Sequence, residues 1–136
     1  MPEANDIRYE LLGGHLTASA IASLIGEGRF ELGSEKATQE GVWELLRSLF
    51  RPECVLRREH RLAPGDIVDF FIGSAGVAIE VKLKRNQPAS ILRQLERYAR
   101  HDAVQALVLV TNRAMGLPPE INGKPAYYVS LGRAWL

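Results

Sequence analysis

The chain has 136 residues, 46% of them hydrophobic and 24% charged, with 17 Lys and Arg against 16 Asp and Glu. That length supports one folded core, the composition is that of a folded protein rather than a disordered tract, and a formal charge of +1 excludes a strong overall field toward nucleic acid, leaving only a local basic surface for such a ligand. The single cysteine, Cys54, excludes an intrachain disulfide, a zinc site built on several thiolates and a cysteine-ligated iron–sulfur cluster.

The opening stretch MPEANDIRYE is polar and has no signal-peptide core. The longest clean apolar run, ALVLV at 106–110, is too short to span a membrane. A cytoplasmic protein without membrane contact is therefore expected. Residues 1–33 read as an N-terminal extension packed on the core. Within them a turn at Gly13-Gly14 precedes TASAIASLI (17–25), which predicts a short helix capped by Thr17 and ended by Gly26 and Gly28.

Residues 34–136 read as the main body of a single globular domain. SEKATQEGVWELLRSLF predicts a helix with Ser34 as N-cap and Glu35 in the first turn, where the helix dipole favours a negative charge. Val42, Leu45, Leu46, Leu49 and Phe50 recur at helical spacing, and Pro52 marks the stop. CVLRREHRL (54–62), DIVDFFI (66–72) and VAIEVKLK (77–84) are three strands, joined by turns at Pro64-Gly65 and at Gly73 to Gly76, and they predict an antiparallel meander. NQPASILRQLERYARH follows as a second helix, with Pro88 in its first turn and Ile91, Leu95, Tyr98 and Ala99 on its apolar side. ALVLVTN (106–112) is apolar throughout, as a strand buried on both faces is, and coming after a helix it should lie parallel to the strand before that helix. LPPEINGKP (117–125) reads as a loop and AYYVSL (126–131) as the last strand. The order α–β–β–β–α–β–β predicts an α/β fold, a mixed central sheet flanked by helices.

Alternation places Ala78, Glu80, Lys82 and Lys84 on one face of the third strand. Alone, Glu80-Val81-Lys82 reads as the solvated side of a half-buried strand. Asp69 argues otherwise, because it stands inside Ile67-Val68-Asp69-Phe70-Phe71, where a strand disfavours Asp. In a hairpin turning around 73–76, positions 69 and 80 approach each other. Two carboxylates that close repel, and one is pushed toward protonation. A divalent cation between them removes that cost, and few carboxylates completed by water describe a Mg²⁺ site. Lys82, on the Glu80 face, can reach a water or phosphate oxygen at the edge of such a site. Gln94 and Tyr98, one helical turn apart on the stripe of Ile91 and Leu95, need polar partners that this face can supply.

Asp69, then Glu80-Val81-Lys82 eleven positions later, then Gln94-Leu95-Glu96-Arg97-Tyr98 resemble the PD-(D/E)XK nuclease superfamily, and the QxxxY element resembles its RecB-type branch. The likeness covers residues 35–112. It implies a restriction-endonuclease-like αβββαβ core and Mg²⁺- or Mn²⁺-dependent hydrolysis of DNA; whether RNA also serves is left open. It implies Asp69 and Glu80 as metal ligands with the Val81 carbonyl as a further one, Lys82 orienting the attacking water or steadying the transition state, and Gln94 and Tyr98 as an accessory pair. The glutamate that the family often carries on its first helix falls on Glu35, which shares a stripe with Gln39, Val42 and Leu46; Glu40 is the rival. The chain departs from the family at the "PD" dipeptide, since Val68 precedes Asp69. Asp66 is a second acid nearby that a regular strand turns to the opposite face, and Asp69 is preferred. Lys84, Arg85, Arg93, Arg97 and Arg100 are the candidates for holding phosphates, with Arg57, Arg58 and Arg61 marking the first strand. A catalytically inactive module of the same fold, binding nucleic acid or a protein, is the alternative. Internal and end cutting both remain open, as does a homodimer.

Overall fold

The structure, a computed structural model, describes residues 14–132. The polar opening segment, Gly13 and residues 133–136 of the aromatic tail lie outside them. Ser34 starts the helix expected of it: its Oγ accepts the Ala37 N–H at 3.0 Å, and α2 runs Glu35–Leu49 with its buried Val42 and Leu46 facing inward. Before it comes α1, Gly14–Glu27. The strands are β1 Leu56–Ala63, β2 Asp66–Ile72, β3 Val77–Lys82, β4 Ala106–Thr111, β5 Glu120–Ile121 and β6 Lys124–Ser130, and α3, Pro88–Ala99, lies between β3 and β4. Together they form a mixed sheet in the order β1-β2-β3-β4-β6-β5. β1, β2 and β3 are the antiparallel meander, and β4 joins parallel to β3 as expected of a crossover through a helix.

Each face of the sheet is covered. On one side Ile21 and Ile25 of α1 and Val42 and Leu46 of α2 pack with Phe70, Ile79, Val81 and Val108. On the other, Ile91, Leu95 and Tyr98 of α3 pack with Ala78, Leu107 and Leu109. Burying one such side chain contributes about 1.5–3 kcal/mol. β4 is buried along its whole length, which is why it reads as an unbroken apolar run. Gly76 sets the start of β3 against β4. It has φ 69°, its carbonyl accepts the Gln105 N–H at 2.7 Å, and a Cβ there would stand 2.6 Å from the Ala103 carbonyl oxygen. No helix among the described residues is long and apolar enough to cross a membrane.

Several expectations need correction. Thr17 does not cap α1; it lies fully buried inside a helix that is already formed at Gly14, so Gly14 is helical rather than part of a turn. The first strand begins at Leu56, because Pro52–Cys54 forms a 3₁₀ turn. β3 ends at Lys82, which puts Lys84 in the following turn. The 117–125 loop contains β5 and the start of β6.

One irregularity bears on the site. Leu62 and Val68 pack on the α3 side, whereas Leu56 and Phe70 pack on the α2 side. In regular strands the even-numbered residues would share a face. The change of face falls at Glu59, whose φ is 50°, and at Asp69, the residue it would oppose.

Candidate active site

The β2–β3 ladder stops one residue short of the acids, with Phe70 opposite Ile79 as its last pair. Beyond it the carboxylates take the backbone donors. The Asp69 N–H donates to Glu80 Oε1 at 3.1 Å, and the Val81 N–H donates to Asp69 Oδ2 at 2.8 Å. Lys82 Nζ lies 3.2 Å from Glu80 Oε2. The Gln39 side chain of α2 lies near enough to Asp69 to favour its ionised form slightly. Sequence reasoning thus brings together the residues it named: Asp69, Glu80 and Lys82 meet at the opened end of the ladder.

The electrostatics are those of two neighbouring acids, one buried and one half-buried. Glu80 is only 3% exposed. Burial pushes its carboxyl above the ordinary carboxylate range and the Asp69 charge adds to that, while Lys82 opposes it. Asp69 is pushed up chiefly by burial too, with the Val81 N–H and Lys82 opposing and the Glu35 charge adding.

Around this pair the remaining candidates divide. Glu35 borders the site: its Oε1 accepts the Leu83 N–H at 3.2 Å and the Asn86 Nδ2 at 3.0 Å, and its Oε2 lies 3.4 Å from Arg85 Nη2. Glu40 is exposed and binds Arg58 at 2.7 Å instead. Tyr98 is fully buried. Its hydroxyl donates to the Ile67 carbonyl at 2.7 Å and accepts from Gln94 Nε2 at 2.7 Å. The pair therefore holds β2 two residues before Asp69. Asp66 belongs to a different cluster, 2.9 Å from His101 Nε2 and 3.0 Å from Arg97 Nε. Arg93 bonds Ser90 at 3.2 Å, and Lys84, Arg85, Arg93, Arg97 and Arg100 all lie exposed. Glu35, Lys36, Lys84, Arg85 and Asn112 line an open cleft of about 430 Å³.

Sequence reasoning gave no role to Gln39 or Asn86. Gln39 had a usable signal: it stands one turn after Glu35 on the inward stripe of α2. Asn86 had none, because its role arises from folding the turn after β3 back onto Glu35. Among the described residues no group of three or more His, Cys, Asp or Glu side chains gathers around a common point to hold a metal, so two carboxylates and any backbone carbonyl are the protein's whole offer to an ion here. Comparison of the chain with protein-family models, with curated proteins and with solved structures finds no match.

Proposed function

We propose that the chain is a metal-dependent DNA nuclease of the PD-(D/E)XK type, its α2–β1–β2–β3–α3–β4 order serving as a restriction-endonuclease-like core. The observation that carries the reading is the pairing of two acids, buried Glu80 and half-buried Asp69, at a break in the ladder with Lys82 on one of them. Such a pair is costly by itself. Its donor chemistry fits a hard divalent cation: carboxylate oxygens in small number, with room in the coordination shell for water. Asp69, Glu80 and the Val81 carbonyl would hold Mg²⁺ or Mn²⁺. Such an ion, when bound, supplies Lewis-acid stabilisation of the phosphate and a water of lowered pKa.

The chain's own residues do the rest. The Val81 N–H fixes the Asp69 carboxylate, and the Asp69 N–H fixes that of Glu80. Lys82 brings a positive charge to the edge of the site, where it hydrogen-bonds the attacking water and steadies the charge that gathers on the phosphoryl oxygens. The water oxygen gives up a proton as it forms the new bond to phosphorus, the bond from phosphorus to the deoxyribose oxygen breaks, and that oxygen leaves after taking up a proton from solvent. Tyr98 and Gln94 set the path of β2 and are positioning residues. Lys84 and Arg85, beside the cleft that Glu35 lines, suit the backbone of the bound strand.

The test is cleavage of single-stranded, duplex and branched DNA with Mg²⁺, with Mn²⁺ and with chelator. Cutting should require the metal and disappear in Glu80→Ala and Lys82→Ala; cutting that survives chelation or either substitution sinks the mechanism. One observation favours the inactive-module reading: each acid already has a partner in the chain, through the Val81 N–H and Lys82. Calorimetric titration with Mn²⁺ separates the two, because heat that vanishes in Asp69→Asn belongs to the nuclease and its absence in the unmodified protein to the module.

A further inference from the structure

A second cleft lies where the last half of α2 meets the 3₁₀ turn and the start of β1. It has a volume of about 570 Å³, within the range of sites for small organic ligands. Trp43, Phe50, Val55 and Leu56 make its apolar floor and walls, and Arg47, Arg51 and Arg57 stand around it. No acidic residue lines it. Glu44, which pairs with Arg47 at 3.3 Å, is exposed outside, and both partners of that pair are more than half exposed, so the contact is weak and exchangeable.

Two features suggest a cleft built to receive something. Trp43 is clamped: its ring stacks on Phe70 at 5.9 Å, the Arg58 guanidinium sits 5.1 Å from its centroid, and Glu40 holds Arg58 at 2.7 Å. A ring fixed before binding loses little freedom on binding. Val55 is held in the left-handed region at φ 58°, ψ 55°, which a β-branched residue rarely occupies. The Gly73 N–H and Ser74 N–H donate to the Val55 and Cys54 carbonyls, each at 3.0 Å, and fix it there. The result is an apolar side chain left 38% exposed on the cleft wall. Strain that neighbours maintain points to function rather than to packing.

We propose that this cleft takes an unpaired nucleobase of a DNA strand, its apolar walls meeting the base while Arg47 and Arg57 meet the flanking phosphates. The choice of a single strand follows from the walls. In a duplex the base faces are stacked and unavailable, and an apolar slot adds nothing that a row of arginines would not. The choice of an anion follows from Arg47 and Arg57 at the opening, with no acidic residue among the described residues that line it. Position completes the case. Glu35, Gln39, Trp43 and Arg47 recur every four residues along α2, so the cleft begins about two helical turns, about 12 Å, beyond the Glu35 that borders the acids. The inference rests on the nucleic-acid substrate of the reading above, and not on its cleavage chemistry.

The test is fluorescence anisotropy of a labelled short oligothymidylate in chelator, where nothing is cut. The single strand should bind at least about tenfold more tightly than a duplex of equal length. Arg47→Ala with Arg57→Ala should weaken it about tenfold and lower the slope of log K against log salt by about 1.4, two phosphate contacts at roughly 0.7 each. Val55→Gly relieves the backbone strain, so it should bind several-fold more weakly while Tm holds or rises. Trp43 stays in place because it packs on Phe70; with Trp135→Phe it is the sole indole, and the oligonucleotide should quench it. No binding by the unmodified protein, equal binding of duplex, or unchanged binding by the double arginine variant overturns the proposal. Cleavage that continues undiminished in that double variant sinks this cleft alone. Binding here without cleavage under any metal sinks the nuclease alone.

Discussion

Asp66 and Asp69 stand three residues apart on the same strand and live in opposite electrostatic worlds. Asp66 faces the end of α3, where its hydrogen bonds to His101 and Arg97 hold its carboxyl below the ordinary range. Asp69 faces α2 and Glu80; burial, with the Glu35 charge adding, pushes its carboxyl above that range. The strand delivers them to different sides by simple alternation, since an odd number of residues separates them. The difference teaches what a carboxylate in a strand is for. An acid whose counter-charges come from its own chain is a latch between elements. An acid placed beside a second acid and largely shielded from water carries a cost that Lys82 offsets only in part, and under the nuclease proposal a cation from outside would remove the rest.

Neutralising the crowded pair breaks that comparison most sharply. Glu80→Gln or Asp69→Asn is expected to lower kcat by at least on the order of 10³-fold, the scale of losing a preorganised charge at a reacting centre. The same substitutions should stabilise the metal-free protein near neutral pH. The sign follows from the raised carboxyls. Between the ordinary carboxylate pKa near 4 and their higher folded values, the folded state holds more protons than the unfolded one, so stability falls as pH rises through that interval, by at most about 1.4 kcal/mol per pH unit for each group. Thermal melts in chelator at stepped pH should show that decline in the unmodified protein. Glu80→Gln should flatten most of it, and added Mn²⁺ should restore the lost stability. A metal-free protein whose Tm climbs steadily from pH 5 to 8 would contradict the account of the pair.

Tyr98→Phe acts on the residue between the two acids. It removes the hydroxyl that donates to the Ile67 carbonyl and leaves that carbonyl and the Gln94 amide short of a partner. The cost should be about 1–3 kcal/mol, read from urea unfolding. If the pair positions β2, kcat should fall several-fold while KM stays within about twofold. A raised KM with kcat intact would make Tyr98 a substrate contact, which its full burial argues against.

Much of this site was legible in the sequence. Asp inside an apolar strand, a second acid across a short hairpin and a Gln–Tyr pair on the inward side of a helix each break a local preference, and such breaks cluster where function lies. Asp69 and Glu80 could be paired by counting outward from the turn, because register in a tight hairpin is fixed by its ends. The change of face at Glu59 and Asp69 could not be read, since no glycine or proline marks it and strict alternation is the only pattern a strand offers. Thr17 misled for a related reason. Threonine before an apolar run looks like a cap, yet here the helix extends back past it and tertiary packing buries it. The cleft at Trp43 needed coordinates, because α2 and β1 supply its two sides and their side chains meet only after folding.

Asp66→Asn is the smallest of these changes and the one that sharpens the comparison from the other side. Its ion pairs are partly exposed, with Arg97 44% and His101 25% accessible, so screening limits their contribution to about 1 kcal/mol or less and the loss of Tm to a few degrees. Because the folded carboxyl is depressed, that contribution is present above the unfolded pKa near 4 and disappears as pH falls through the folded value. The two proteins should therefore differ in Tm at neutral pH, converge in strong acid and converge again in high salt, a pH dependence opposite in direction to that of Asp69. Cleavage by Asp66→Asn should stay within about twofold of the unmodified protein. An inactive Asp66→Asn beside an active Asp69→Asn would reverse the assignment of the two acids, and with it the claim that the acid raised by burial marks the site.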